Sequence, residues 1–272
     1  MQNQQPSTLK EIRVHGTQDF PCAFYQTGTR IKGNMVKHHW HEEVELLYFS
    51  GGEFCLEVNM ERFNISEECF YVINPGELHS ISVEKNGGCV ENAVVFHMDM
   101  LSSAYALDQI QTNLIQPVQN GSIQFPRCLR KNEPAFEPVR KSYEEIRNVF
   151  GGDSFRENYY DGEAVTDDIT RQLFIKSALL RILAVLSANN LFEVTEKNHD
   201  HRIETIKTTL TYIQENYKEK IYIRDLAGLI GMNEQYFCRF FKKVIGRSPM
   251  EYVNEYRIKT VSYTHLTLPT IA

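Results

Sequence analysis

The chain lacks the marks of an exported, membrane-spanning or disulfide-stapled protein. Its start, MQNQQPSTLKEIRV, contains no apolar signal core. Its most apolar stretch, residues 174–192, is interrupted by Lys176 and Arg181 and does not read as a membrane span. Cys22, Cys55, Cys69, Cys89, Cys128 and Cys238 fall at no paired metal or redox spacing. They are read as free thiols in a cytoplasmic protein. A basic excess is missing too, because the net charge is −6. What is present is globular: 42% hydrophobic and 11% aromatic residues over 272 positions, enough for two compact domains.

The net charge misleads until it is divided. Residues 201–260 carry 11 Lys and Arg against 7 Asp and Glu, whereas residues 1–200 carry 18 against 28. The basic character is confined to one segment, as expected of a phosphate-contacting module. Within it, residues 221–243 read IYIRDLAGLIGMNEQYFCRFFKK. Leu226, Ala227, Ile230, Phe237, Phe240 and Phe241 recur at helical spacing and are expected to face one small core. Ala227 suits a close helix crossing, and Gly231 can end a helix in the left-handed conformation. Asn233 is a good N-cap for a second helix. The pattern predicts a helix-turn-helix, whose second helix enters the DNA major groove.

The flanks sharpen this reading. Arg239, Lys242, Lys243 and Arg247 lie on or just past the second helix, and Gly246, Ser248-Pro249, Tyr252 and Arg257-Ile258 follow. With Ala227, Gly231-Met232-Asn233 and Tyr236-Phe237-Cys238-Arg239, this run resembles the AraC/XylS family of bacterial transcription regulators. Residues opposite the aromatic anchors then become the expected DNA contacts. Arg239 suits guanine and Gln235 suits adenine, with Cys238 beside them. Lys242, Lys243 and Arg247 are expected to hold phosphates and so fix register.

The N-terminal half reads as short strands between turn signals, at 12–15, 22–25, 44–49, 54–58, 63–65, 70–73 and 93–98. His39 and His41, two apart, would share one face of an extended strand, and Glu45 would join them if the strand continued. His79, after Asn74-Pro75-Gly76, would come from a neighbouring strand. Such a set suits Fe, Mn, Ni or Zn. Gly33, His39, His41, Glu45 and Gly52 also resemble the first cupin motif. The second motif fits less well, since Pro75 and Gly76 are adjacent and Val83 stands where an asparagine is usual. The resemblance to the AraC/XylS family favours an effector pocket with no metal and no cofactor, lined by His39, His41, Glu45, His79 and Tyr48. A metal site, and histidines that only satisfy hydrogen bonds, are the alternatives. Trp40 is expected on the opposite face, packed outside the pocket.

Helices are predicted at 135–150 and 164–191, separated by Gly151-Gly152. On the second, Ile175, Leu179, Ile182 and Leu186 form a stripe at 4-3-4 spacing that must be covered, either by the chain's own barrel or, as the family resemblance favours, by a second copy in a dimer interface. A linker is expected at 193–202, followed by a bracing helix at 203–217. The domain reading is a cupin-like effector-binding barrel over 1–133, a helical dimerisation segment over 134–192 and a helix-turn-helix domain over 203–260. The family resemblance implies a second helix-turn-helix unit, which the chain lacks. The uncharged tail at 261–272, VSYTHLTLPTIA, is read as atypical and as a sign of truncation.

The fold class is therefore α+β: an N-terminal cupin-like β-barrel with following helices, then an all-α DNA-binding domain. The expected function is a cytoplasmic, effector-responsive transcription regulator of carbohydrate-related genes. Its expected partners are double-stranded DNA, a small-molecule effector such as a sugar, and a second copy of itself, with no membrane. Catalysis is not expected. The rival readings are a metal-dependent cupin isomerase or dioxygenase, and a sugar-binding module with a vestigial DNA-binding domain.

Overall fold

The computed structural model describes residues 10–11, 13–29, 33–83, 89–105, 107–151, 168–195, 201–245, 247–254 and 256–257. The expected tail at 261–272, Ile258, Gly246 and residues 196–200 of the expected linker lie outside this set. The chain divides into two compact units, Arg13–Asn198 and Met1–Ile12 with His199–Ala272.

The first unit is built on β1 (Cys22–Thr29), β2 (Gly33–His39), β3 (Val44–Phe49), β4 (Phe54–Val58), β5 (Glu61–Ile65), β6 (Cys69–Ile73), β7 (His79–Val83) and β8 (Cys89–Phe96). After a single-turn helix α1 (Gln116–Gln119) come β9 (Ile123–Gln124) and β10 (Cys128–Arg130). These strands form a five-stranded sheet in the order β1-β8-β3-β6-β10 and a four-stranded sheet in the order β2-β7-β4-β5. The sheets face each other across Leu47, Phe49, Tyr71 and Ile73 from one and Phe54, Leu56, Ile81 and Val83 from the other. This is a cupin-like arrangement, and the molecule as a whole is α+β. No strand forms at Arg13–His15, where one was expected, because the backbone bends at His15 and Gly16. Gly16 has φ +81°, and a Cβ there would lie 2.4 Å from the Cys22 carbonyl oxygen. Only glycine fits such a bend.

Two helices cover the outer face of the five-stranded sheet: α2 (Phe136–Val149) and α3 (Ile169–Ala188). The sheet is therefore buried on both sides. That explains why β3 (VELLYF) and β6 (CFYVI) are almost continuously apolar and do not alternate. Asp168 caps α3, its carboxylate accepting from the Thr170 and Arg171 amides. A last short strand, β11 (Glu193–Val194), pairs with β9.

The expected dimer stripe is corrected here. Ile175, Leu179, Ile182 and Leu186 are fully buried in the protomer's own core with Phe70, Val72, Phe96 and Tyr143. Spacing identified an apolar stripe, but not the surface that covers it; the five-stranded sheet does. The apolar residues that α3 leaves outside are Ile169, Leu173, Phe174 and Leu180, with Leu173 and Phe174 about 60% exposed (61% and 58%).

The second unit contains α4 (His201–Asn216), α5 (Ile223–Leu229) and α6 (Glu234–Ile245), and residues 249–254 continue as a further helical segment. Ile206, Leu210 and Ile213 of α4, Leu226 and Ala227 of α5 and Phe237, Phe241 and Val244 of α6 are buried. The turn between α5 and α6 closes by two linked hydrogen bonds, Met232 N–H to Ala227 O at 2.9 Å and Gly231 N–H to Gly228 O at 3.2 Å. Gly231 supplies the φ of +65° that this closure needs. Asn233 then caps α6 by accepting from the Tyr236 amide at 2.8 Å. Arg257 donates to the carbonyls of Tyr217 and Glu219, just past the end of α4. A cation suits that place, because the last carbonyls of a helix lack internal donors.

Candidate functional site

The polar end of the sandwich gathers three histidines and a carboxylate. His39 ends β2 and is the cross-strand partner of His79, which opens β7; their rings are 4.2 Å apart. His41 lies in the bend where the chain passes from one sheet to the other, its ring 5.2 Å from that of His79. Glu45 follows on β3. One ligand atom from each of the four lies within 4.8 Å of the others. His39, His41, Glu45 and His79 therefore do meet, with His79 on the neighbouring strand as expected, but His39, His41 and Glu45 do not lie along one strand. The even spacing assumed an unbroken strand, whereas β2 stops at His39.

The histidines are oriented alike. His39 Nδ1 lies 2.9 Å from Lys37 O, His41 Nδ1 3.1 Å from Glu43 O and His79 Nδ1 2.9 Å from Glu77 O. A carbonyl accepts only, so each Nδ1 carries the hydrogen and each Nε2 is left to face the cluster. His79 Nε2 and Glu45 Oε2 stand 2.9 Å apart, and His41 Nε2 is 3.5 Å from the same oxygen. Burial pushes the Glu45 carboxyl up, but His41 and His79 outweigh it and hold Glu45 well below the usual carboxylate range. An ionised oxygen facing a lone pair at His79 Nε2 is repulsive unless a cation lies between them. That cation is either a second imidazole proton or a metal ion. Imidazole and carboxylate donors anchored through Nδ1 match the way proteins hold Mn, Fe, Ni or Zn. The donor set fits a divalent metal.

Around this cluster sit residues that motif reasoning missed. His15 is buried, with its Nδ1 2.8 Å from the Tyr25 hydroxyl and its ring edge-on to His41 at 5.2 Å. The Arg13 guanidinium covers the Tyr25 ring at 4.7 Å. The one sequence cue was Gly16, whose bend delivers His15. Beneath the cluster, Glu77 accepts from the Asn74 amide at 2.8 Å and pairs with Arg127, which also donates to Val72 O. The Gly76 amide donates to His41 O at 2.7 Å.

Tyr48 does not belong to the pocket. It points to the opposite face of β3, where its hydroxyl donates to Glu68 at 2.6 Å and its ring packs against Phe70 and Tyr143. Positions 45 and 48 differ by an odd number, so one strand cannot present both inward. Trp40 is buried.

In the second unit, α6 sinks Phe237, Phe241, Val244 and Ile245 and leaves the other side outward. Gln235, Arg239, Lys242 and Lys243 are exposed, whereas Cys238 and Arg247 are half-buried. Phe240, expected as an anchor, is only half-buried and stacks on Tyr236, which is 50% exposed. Tyr236 is thus a further exposed residue on the outward side. No helix among the described residues is long and apolar enough to cross a membrane.

A barrel with a polar cluster and a separate unit with a cation-bearing second helix define a ligand-binding regulator with a helix-turn-helix. Residues 27–147 match the AraC-like ligand binding domain, and residues 213–254 match the bacterial regulatory helix-turn-helix proteins of the AraC family. The chain belongs to the AraC family of transcription regulators. It is 26% identical to an uncharacterized HTH-type transcriptional regulator, YdeC, of Bacillus subtilis (strain 168), over 92% of this chain and 80% of that protein. It is 23% identical to the melibiose operon regulatory protein of Escherichia coli (strain K12), over 84% of this chain and 70% of that one. Among solved structures, ToxT from Vibrio cholerae aligns at 12% identity over 93% of this chain and 86% of that chain, with a TM-score of 0.39.

Proposed function

We propose that this regulator reads a small polar effector at the His39–His41–Glu45–His79 cluster and reads DNA sequence with Gln235, Cys238 and Arg239. The observation that carries the effector site is the convergence of three oriented imidazoles and one buried carboxylate on a single point. A divalent metal held there would offer the hydroxyls or carboxylate of an effector a Lewis-acidic anchor. This metal-centred form is the second reading, favoured by the Glu45–His79 contact. His15, Tyr25 and Arg13 lie where they would add hydrogen bonds to such a ligand. A sugar or related polyol fits this polar lining, and the name of the melibiose relative supports a carbohydrate-linked target. The cytoplasm is where such a DNA-binding protein would act.

Titrating the full chain, stripped with chelator, with Mn, Ni or Zn decides between the two forms. If the site is metal-centred, one equivalent binds and raises the melting temperature, and Glu45→Ala weakens binding by at least about 100-fold. Sugars that raise the melting temperature without metal would favour the metal-free pocket. Turnover of a substrate by the metal-loaded protein, with no DNA retention at low salt, would instead favour the cupin enzyme.

The dimer expected for this segment is moved to another face of α3. Ile169, Leu173, Phe174 and Leu180 form an outward apolar strip that a second copy would bury. Pairing two chains brings two reading helices to one operator, which raises affinity through effective concentration. Leu173→Ser with Phe174→Ser is expected to convert a dimer to a monomer in sedimentation while leaving the melting temperature of the barrel nearly unchanged. An unaltered dimer would remove this interface.

A further inference from the structure

Two neighbouring strands of the five-stranded sheet bring two thiols and a phenol together on its inner face. In the β6/β10 ladder Cys128 lies opposite Tyr71, and Arg130 lies opposite Cys69. Residues two apart share a face of a strand, so Cys69, Tyr71 and Cys128 project from the same side, with the thiols on a diagonal. Cys69 is buried, whereas Cys128 is half-buried on β10, the edge strand of the sheet. Cys69 and Tyr71 are the side chains that act most on the Cys128 sulfur. The Cys69 side chain is the largest influence on Cys128; burial opposes it, Tyr71 and Arg130 assist, and the thiol falls to about 7. Cys69 is pushed up by the neighbouring Cys128 and by its own burial. Cys128, on the edge strand, is the sulfur that solvent reaches, and Cys69 is the one held inside.

We propose that Cys128 and Cys69 form a hydroperoxide-sensitive dithiol, with Cys128 attacking and Cys69 resolving. The Cys128 thiolate attacks a peroxide oxygen and breaks the O–O bond. This leaves a Cys128 sulfenic acid and an alcohol, or water from hydrogen peroxide. The Cys69 sulfur then attacks Cys128, the S–O bond breaks, and hydroxide leaves with the Cys69 proton as water. Two thiols lose two electrons and two protons, and the peroxide takes them up.

The product changes the fold locally. Diagonal positions in an antiparallel ladder lie roughly 7–8 Å apart between Cα atoms. A disulfide spans about 4.4–6.8 Å. The three-residue strand β10 must therefore move toward β6. Arg127, just before β10, pairs with Glu77, whose carbonyl accepts from His79 Nδ1. Oxidation thus pulls on the backbone that orients one histidine of the polar cluster.

The test is a peptide map of the full chain, treated with stoichiometric hydrogen peroxide, alkylated and digested without reductant. The expected product joins Cys69 to Cys128. Cys69→Ser is expected to leave a Cys128 sulfenic acid that dimedone traps, and Cys128→Ser to abolish both products. In the reduced chain at pH 7, iodoacetamide is expected to label Cys128 about threefold faster than Cys238. The wild-type map decides even if a variant folds poorly. Cys128 joined to a different cysteine, or Cys238 oxidised while Cys69 and Cys128 stay reduced, overturns the proposal.

Discussion

Helix α6 presents Gln235, Arg239 and Lys242 from one run of twelve residues, whereas His39, His41, Glu45 and His79 arrive from three strands and a bend between two sheets. In the helix, the face of each side chain follows from its neighbours three and four positions away. In the barrel, it follows from where each strand stops and which strand lies beside it. The difference decides what a substitution does. On α6 the two faces are separable, so stability and DNA reading should respond to different residues. At the histidine cluster the same backbone bends both hold the fold and aim the ligands, so the two should respond together.

The sharpest way to break the comparison is on α6 itself. Phe237 is completely buried between the helices, and Tyr236, its neighbour, is 50% exposed. Phe237→Ala is expected to cost about 3–5 kcal/mol of stability in the second unit, the usual range for emptying a buried aromatic site. Tyr236→Ala is expected to stay within about 0.5 kcal/mol. Urea unfolding followed by amide exchange over residues 203–257 measures both. If the two cost the same, the helix has no separable faces.

The next effect is smaller and concerns reading alone. Arg239→Ala is expected to cost about 1–3 kcal/mol at one operator base pair, through loss of a bidentate contact to guanine. Lys243→Ala is expected to weaken all sequences alike and to reduce the salt dependence by about one counterion. Binding titrations on a set of single-base operator variants at two salt concentrations separate the roles. Equal losses across all variants for both changes would show that neither residue reads bases.

The same contrast accounts for what could be read from sequence. The turn at Gly231, the Asn233 cap and the buried pair Phe237 and Phe241 are local features, and each appears where its spacing placed it. Strands β3 and β4 matched their apolar runs to the residue. Strands β2 (GNMVKHH) and β7 (HSISV) had no comparable run, because polar residues such as His38, Ser80 and Ser82 interrupt their apolar ones. The four cluster residues were legible as a motif, and His79 does come from a neighbouring strand, but the reasoning that put His39, His41 and Glu45 on one strand was not right. Tyr48 failed on strand parity, since it lies an odd number of residues from Glu45, whereas the α3 stripe failed because spacing does not name what covers it. Periodicity finds an apolar face, and only the tertiary fold decides whether that face meets the pocket, a sheet or a second chain.

The smallest expected effect tests one non-local contact of the kind that sequence could not foresee. Tyr48 donates to Glu68, and Lys131 donates to the other carboxylate oxygen. The Lys131 hydrogen bond first, and Tyr48 second, hold the Glu68 carboxyl below its ordinary value. A carboxyl depressed by folding adds stability above its unfolded value of about 4.3 and loses that contribution as pH falls through the lower folded value. Tyr48→Phe removes one of the two donors and is expected to cost about 1 kcal/mol near neutral pH. The gap between wild type and variant should then narrow as acid protonates Glu68, because the hydroxyl no longer faces a charge. Urea midpoints of the first unit measured from neutral pH into the acid range report this directly. A gap that stays constant or widens in acid would mean that the ring against Phe70 and Tyr143, and not the hydroxyl on Glu68, is what fixes Tyr48 on the outer face.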